Sequence, residues 1–198
     1  KGIETVTNKK AFTNGYDIES YESLYNRYVL KVQTPATSGN KYHYEQWALE
    51  VTGVGSAKCI PGAGIVKVII TDSNKRAASK ELIEKTYNHI DEVRPLLAGT
   101  LEVITVKEIP INITGNVEID TSVTLGEVQA IFKELVKKYL DDKVYKTKKV
   151  NIAKIQGLLI DIDGVIDYED VNINSNTINI NLALDEIAVL QDISLGVM

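Results

Sequence analysis

The stretch 158-LLIDIDGVIDYED-170 decides how the chain is to be read. An apolar run ending in Asp-x-Asp-Gly-Val has the outline of a phosphotransferase site. There a buried strand delivers an aspartate nucleophile, and a second aspartate two residues on serves as acid and base. Asp161 and Asp163 would hold those roles. The competing reading is structural: an apolar helix whose last turn runs into a turn at Asp163-Gly164. The first reading requires a long parallel sheet that opens at this strand. The second makes the stretch one internal element among several.

The residues after Asp163 favour the second reading. Phosphate transfer through aspartate also needs a Ser or Thr, a Lys and a later acidic pair that holds Mg²⁺. Only 35 residues come after Asp163, and they contain no Lys or Arg to meet phosphate charge. The stretch also has a counterpart earlier in the chain. Gly53-Val54 and Gly164-Val165 lie 111 positions apart, and at that offset Asp161 and Asp163 fall on Glu50 and Thr52. Tyr21 falls on Phe132, Leu24 on Leu135, Tyr25 on Val136, Tyr28 on Tyr139, Trp47 on Leu158 and Val51 on Ile162. With one extra residue in the second copy, Val66, Val68 and Ile70 fall on Ile178, Ile180 and Leu182. Each half then reads helix, loop, helix, Gly-Val, strand, turn, strand.

Working outward, apolar spacing predicts four helices. The first carries Tyr21, Leu24, Tyr25, Tyr28, Val29 and Val32 on one face, with Asp17 placed to cap it. The second starts near Asn40 and buries Tyr44, Trp47, Ala48 and Val51. The third uses Leu82, Ile83, Thr86, Tyr87, Ile90 and Val93 and stops at Pro95. The fourth runs through Val128, Ile131, Phe132, Leu135, Val136, Tyr139 and Leu140, and Thr124 with Glu127 supplies a capping box. A shorter helix is expected over 151–161, and residues 1–15 read as an arm or loop. Strands over 56–60 and 65–71 flank 61-PGAG-64 and form a hairpin. Strands over 101–106 and 111–119 are divided by Pro110, where the chain is expected to change sheet. A second hairpin is expected from 171–174 and 177–182 around 174-NSN-176, with 183–198 a last short strand or an extended arm. The fold class is therefore α/β (α+β): two tandem small modules, each two helices followed by a β-hairpin with an additional strand. The division falls between 1–108 and 109–198.

Composition narrows the function. An apolar fraction of 44% and a charged fraction of 25% are ordinary for a globular protein. A net charge of −5 argues against nucleic acid as the main partner, and 143-KVYKTKKV-150 reads as a solvated basic loop. Cys59 is the only cysteine and falls within a strand, so it reads as a small core residue. His43 and His89 have no ligand-spaced neighbours, and no metal, cofactor or catalytic set is expected. No apolar run approaches the roughly 20 residues of a membrane helix. The ten tyrosines could form stacking surfaces, as in a carbohydrate-binding module. Tyr21, Tyr25, Tyr28, Tyr87 and Tyr139, however, fall at core spacing and are expected inside. The absence of an initiator Met before Lys1 suggests a fragment of a longer protein.

Two segments, 14-NGYDIESYESLYNR-27 and 42-YHYEQWALEVTGVGSAKC-59, resemble the baseplate J family of contractile phage tails, Mu-like and PBSX-like prophage elements, and tail-derived bacteriocins. The matching features are Gly15, Asp17, Glu19 and Arg27, then Gly39, His43-Tyr44, Trp47-Ala48 and Gly53-Val54. The hairpin 61-PGAGIVKVII-70, the pair Arg94-Pro95 and the late Gly164-Val165 continue the pattern, as the family's middle and C-terminal parts. Asn14-Gly15 departs from a frequent Gly-Gly there, a change that Asn tolerates in left-handed backbone. The resemblance implies a scaffolding protein. It would be made and assembled in the bacterial cytoplasm, reside in the baseplate, and contact other wedge and hub proteins and further copies of itself. It also implies architectural roles: Gly53 closing a helix at positive φ, Trp47 anchoring the second helix, and Arg27 either pairing with Asp17 or Glu19 or staying solvated. The expected outcome of a Mg²⁺-dependent phosphatase assay is no turnover in the wild-type chain. Phosphate release that disappeared in Asp161→Asn would reinstate the phosphotransferase reading.

Overall fold

The computed structural model describes residues 21–33 and 39–198. The expected arm over 1–15, the Asp17 cap, Gly15 and Glu19 lie outside the described residues, and so does any pairing of Arg27 with them. The chain divides into two units, Lys1–Pro35 and Ala36–Met198. In the first, helix α1 spans Tyr21–Gln33. Its spacing is that of an amphipathic helix, yet Tyr21 is 90% exposed and Tyr25, Tyr28 and Val32 are exposed with it. The expectation that these tyrosines are core residues is not met.

The second unit opens on a local signal that sequence reading can follow. Asn40 caps helix α2 (Lys41–Glu50) by accepting from the backbone of His43, and Tyr44, Trp47 and Ala48 form its buried face. Strand β1 (Val54–Pro61) then turns through 61-PGAG-64 into β2 (Ile65–Asp72), its antiparallel partner. Helix α3 (Lys80–Val93), capped by Ser79, crosses over to β3 (Thr100–Thr105), which pairs parallel with β2. These three strands form one sheet, and α2 and α3 close its core around Trp47, Val68, Ile70, Ile90 and Val103.

The chain changes sheet at Val106, four residues before the expected position. Val106 still donates to the Ile70 carbonyl at 3.3 Å, and Lys107 already begins β4 (Lys107–Ile119). Pro110 lies inside β4, because the missing N–H costs nothing where β6 does not reach; that pairing starts only at Ile113. Helix α4 (Leu125–Lys143) carries the expected Thr124–Glu127 capping box and buries Val128, Phe132, Val136 and Leu140. Ile131 is exposed and Tyr139 half-buried, so the buried stripe is narrower than apolar spacing suggested. Short β5 (Lys149–Val150) leads into α5 (Ile152–Ile160) and β6 (Val165–Ile173). Strand β4 is the centre of the second sheet, antiparallel to β6 and parallel to β8 (Glu186–Val197).

The repeat holds over one segment and ends there. Asn40 and Asn151 both cap their helices, Ala48 and Leu159 are both buried, and Val51 and Ile162 are both buried. The turns match bond for bond. Val51 donates to the Ala48 carbonyl as Ile162 does to that of Leu159, and Val54 donates to Val51 as Val165 does to Ile162. Gly53 has φ +106° and Gly164 φ +89°.

Beyond this segment the halves diverge, and the expected second hairpin does not form. Asn174 and Ser175 both take positive φ in a tight turn closed by Ile173 and Asn176. The chain then leaves, and β7 (Ile180–Asn181) pairs with β5 instead of β6. The Asn179 side chain accepts from Ile152 at the start of α5, which holds the departing segment against that helix, and Ile178 is left exposed. The tail is a strand of 12 residues, neither short nor an arm. A Cβ on Gly164 would stand 2.5 Å from Val123 Cγ2 in addition to the unfavourable φ. Gly164→Ala is therefore expected to cost about 1–3 kcal/mol. Urea unfolding measures it, with Gly126→Ala, where added Cβ meets nothing within 4 Å, as the benign comparison.

Candidate functional site: the motif cluster and the junction between the sheets

The family-like residues of the first sheet gather at one end of α2. Gly39 takes φ +72° and lies against Pro95, whose Cγ would be 3.1 Å from a Cβ at that position. The Gly39 amide donates to His43 Nδ1 at 3.2 Å, and the His43 ring stacks on Trp47 with centroids 3.9 Å apart. Tyr44 meets the same indole edge-on at 5.2 Å. Arg94 grips Asp91 through Nε at 2.7 Å and donates from its guanidinium to the Gly99 carbonyl, so it fixes the turn that carries Pro95. Gly39, Tyr44, Trp47, Arg94 and Pro95 thus form one packed corner. Gly53 stands at the other end of α2 against Leu82, and Gly164 with Val165 occupies the equivalent turn after α5, against Val123. His89 is paired with Glu50 at 3.0 Å.

The residues weighed for chemistry are placed for structure. Asp161 is the C-cap of α5, with its own N–H bonded to the Gly157 carbonyl at 3.1 Å, and Asp163 comes next in the turn. Neither stands at the end of a sheet strand, where a nucleophilic aspartate would be needed. Cys59 is buried, and burial pushes its thiol up to about 11, away from the reactive thiolate. Among the described residues no group of His, Cys, Asp and Glu is arranged to hold a metal ion. No helix among them is long and apolar enough to cross a membrane.

The sequence reading missed the junction between the sheets. Side chains alternate across a strand, so Val68 and Ile70 of β2 face α2 and α3 while Ile69 faces the other way. Ile69 packs with Val106 and Ile187, and Tyr145, Val144 and Val189 close around them. The Tyr145 hydroxyl donates to the Ile69 carbonyl at 3.1 Å, and burial raises its pKa. A polar rim surrounds this apolar seam. Arg76 forks onto Glu108 at 2.9 and 2.7 Å, and Glu108 also accepts from the Ala77 amide at 2.8 Å. Lys107 reaches Glu186 at 3.0 Å. Lys75, at φ +60°, folds its ammonium onto the Gly55 carbonyl and the Ser56 hydroxyl, and burial lowers its pKa. The signal was present in the unbroken apolar run 68-VII-70. A strand covered on one face alternates, whereas a continuous run marks cover on both.

Hydrogen bonding from Arg76 holds the Glu108 carboxyl below its ordinary value. A carboxylate whose folded-state pKa is depressed adds stability above its unfolded pKa and loses it as pH falls through the folded value. Wild-type unfolding free energy is therefore expected to drop more steeply than that of Glu108→Gln as pH falls below about 4.3. Parallel denaturant titrations from neutral to acid pH check this. Equal slopes would show the ion pair contributes nothing.

Comparison with known proteins gives these features a context. The profile for the "Baseplate J-like central domain" matches residues 36–119, and that for the "Baseplate J-like protein C-terminal domain" matches 111–196. The chain is 30% identical over 203 residues to the phage-like element PBSX protein XkdT of Bacillus subtilis, covering 98% of this chain and 58% of that one. It is 34% identical over 99 residues to baseplate protein gp47 of Escherichia phage Mu, covering 46% of this chain and 28% of that one. It is also similar in fold to a chain of the anti-feeding prophage baseplate, solved by cryo-EM with 6-fold symmetrisation. The TM-score is 0.59 at 9% identity, over 88% of this chain and 42% of that one. The chain thus spans little more than half the length of the PBSX relative.

Proposed function

The chain belongs to the baseplate J-like family, and from that premise we propose that it is a structural subunit of a contractile-tail baseplate, in a phage, prophage or tail-like bacteriocin. It acts by protein–protein assembly as a wedge or ring component. The observation that carries the reading is the order and reach of the two domain profiles, which together run from residue 36 to 196. The junction supports it physically. An apolar seam joins the two sheets, with the Arg76–Glu108 ion pair across its rim, so the two packed sheets can serve as one support for neighbouring subunits. We divide the chain into modules at 1–108 and 109–198, just after it leaves the first sheet at Val106.

In this reading the motif residues are architectural. Gly39, Tyr44, Trp47, Arg94 and Pro95 shape the corner at the start of α2, and Gly53-Val54 and Gly164-Val165 set the two helix-to-strand turns. Its partners are other wedge and hub proteins and further copies of the chain, and it is assembled in the bacterial cytoplasm before residing in the tail. The placement of Asp161 and Asp163 at a helix terminus supports a non-enzymatic role. Exposure of Tyr21, Tyr25 and Tyr28 is the feature a carbohydrate-binding surface would offer. Leu24 and Val32 share that exposed stripe, however, and a mixed aliphatic and aromatic helix face is the pattern of protein contact.

The test is co-expression of the chain with the proteins encoded beside it. Stable co-purification of at least one sheath, tube, hub or wedge protein is expected. A chain that stays apart from all of them and binds a glycan array through its tyrosines would overturn the proposal.

A further inference from the structure

The two three-stranded sheets have outer edges at β1, β3, β6 and β8, and all but β3 are closed by side chains or a bulge. On β1, Glu45 Oε1 accepts from the Cys59 amide at 3.0 Å, and Lys75 Nζ takes the Gly55 carbonyl. On β8, Gln129 Oε1 of α4 accepts from the Leu195 amide at 3.2 Å. On β6 an extra residue shifts the register between Glu169 and Asn172, and Asp170 stands there at φ +54°. The Tyr168 amide is taken by Asp167 Oδ1 at 2.8 Å, and the Asp170 carbonyl by Asn172 Nδ2 at 2.6 Å. Plugs and bulges of this kind keep a sheet from accepting another strand.

Strand β3 carries no such device among the described residues. Thr100 at its start donates to the Gly64 carbonyl at 2.8 Å, and Val106 just past its end donates to that of Ile70 at 3.3 Å. The even-numbered residues therefore turn their backbone groups toward β2, the parallel partner. Leu101, Val103 and Thr105 turn their amides and carbonyls outward, where no described residue meets them. Apolar surface flanks this row. Leu96 and Leu97 are fully exposed on the turn that leads into β3. That turn is fixed by the Ala98 amide on the Pro95 carbonyl at 3.0 Å and by Arg94 on the Gly99 carbonyl. On the face away from α3, Glu102 and Ile104 line an open groove of about 440 Å³ together with Ile60, Ile65 and Leu184.

We propose that the open edge of β3 takes an extended segment of a neighbouring baseplate protein as a further strand, with alternate apolar side chains set against Leu96, Leu97 and the groove. A row of outward N–H and C=O groups at strand spacing is complementary to an extended backbone. A second folded copy of the chain fits less well. The six residues of β3 run about 20 Å, and a sheet is about 10 Å thick, so the edge offers on the order of 200 Å². A stable interface between folded partners buries about 800 Å² on each. An extended segment makes up the difference by entering the groove and passing over the leucine turn, which a strand locked in its own sheet cannot do. The proposal rests on the baseplate reading and names the form of the partner.

Amide hydrogen exchange of the full chain, read by NMR, tests it. The probes are short overlapping peptides from the sheath, tube, hub and wedge proteins encoded beside the chain. In the free chain the amides of Leu101, Val103 and Thr105 should exchange far faster than those of Glu102 and Ile104. At least one peptide should slow those three by about tenfold or more. N-methylation of that peptide at alternate residues should abolish the protection, and N-methylation at the residues between should leave it. Leu96→Ser combined with Leu97→Ser should weaken the peptide about tenfold at an unchanged unfolding temperature, because both side chains already stand in water. Edge amides that are slow in the free chain would overturn the proposal. So would a panel without a protecting peptide, protection indifferent to N-methylation or to the leucine change, or protection that arises from dimerisation of the chain. Any of these beside a co-purifying neighbour sinks the strand proposal alone, whereas the loss of every co-purifying neighbour sinks the baseplate reading.

Discussion

Strand β2 is covered on both faces, and the rest of the described second unit is arranged around that fact. On one side Val68 and Ile70 complete the core under α2 and α3; on the other Ile69 is the contact point for Val106, Ile187 and Tyr145. A small sheet with only one face packed would leave Ile69 in water. Burying that single side chain is worth about 1.5–3 kcal/mol, a large share of the stability of an ordinary domain. The second sheet is therefore an obligatory cover for the first. The fork from Arg76 to Glu108 lies at the rim of this cover, so it adds direction to a seam whose energy comes from burial.

The same constraint explains where the chain crosses between sheets. Val106 must reach the seam with Ile69, so the crossing comes at that residue and β4 begins directly after it. Proline normally marks the end of a pairing strand. Pro110 does not, because its position in β4 has a partner on one side only. Local chemistry allowed either arrangement, and the long-range contact selected one.

Much of the fold was legible from the sequence. The helices expected to start near Asn40 and at the Thr124–Glu127 capping box do start there, and the hairpin at 61-PGAG-64 forms where its turn residues stand. The helix–turn–strand segment around Gly53 and Gly164 recurs because both copies need left-handed backbone at the same place. The motif corner was legible as a set of residues but not as a cluster, since Gly39 and Pro95 are brought together only by the crossover helix. The failures have one cause. The turn at Asn174-Ser175 forms, yet what pairs beyond it depends on β5 and Asn179, which compete from elsewhere in the chain. The tyrosines of α1 satisfy helical spacing, but spacing names a face without saying what covers it.

The sequence by itself determined the elements that close within a few residues: helix starts, the two glycine turns, the first hairpin, and the apolar run of β2 that requires cover on both sides. It also determined that 158-LLIDIDG-164 belongs to a helix and its terminal turn, because the Gly53-Val54 turn that closes the first such helix recurs at Gly164-Val165, where the next strand opens. Only the tertiary structure decided which strands pair after Ile173, that β8 lies parallel to β4, and that Tyr145 reaches the carbonyl of Ile69. Those contacts join residues far apart in the chain. Their partners are chosen by competition among buried surfaces, and no local run of residues carries that information.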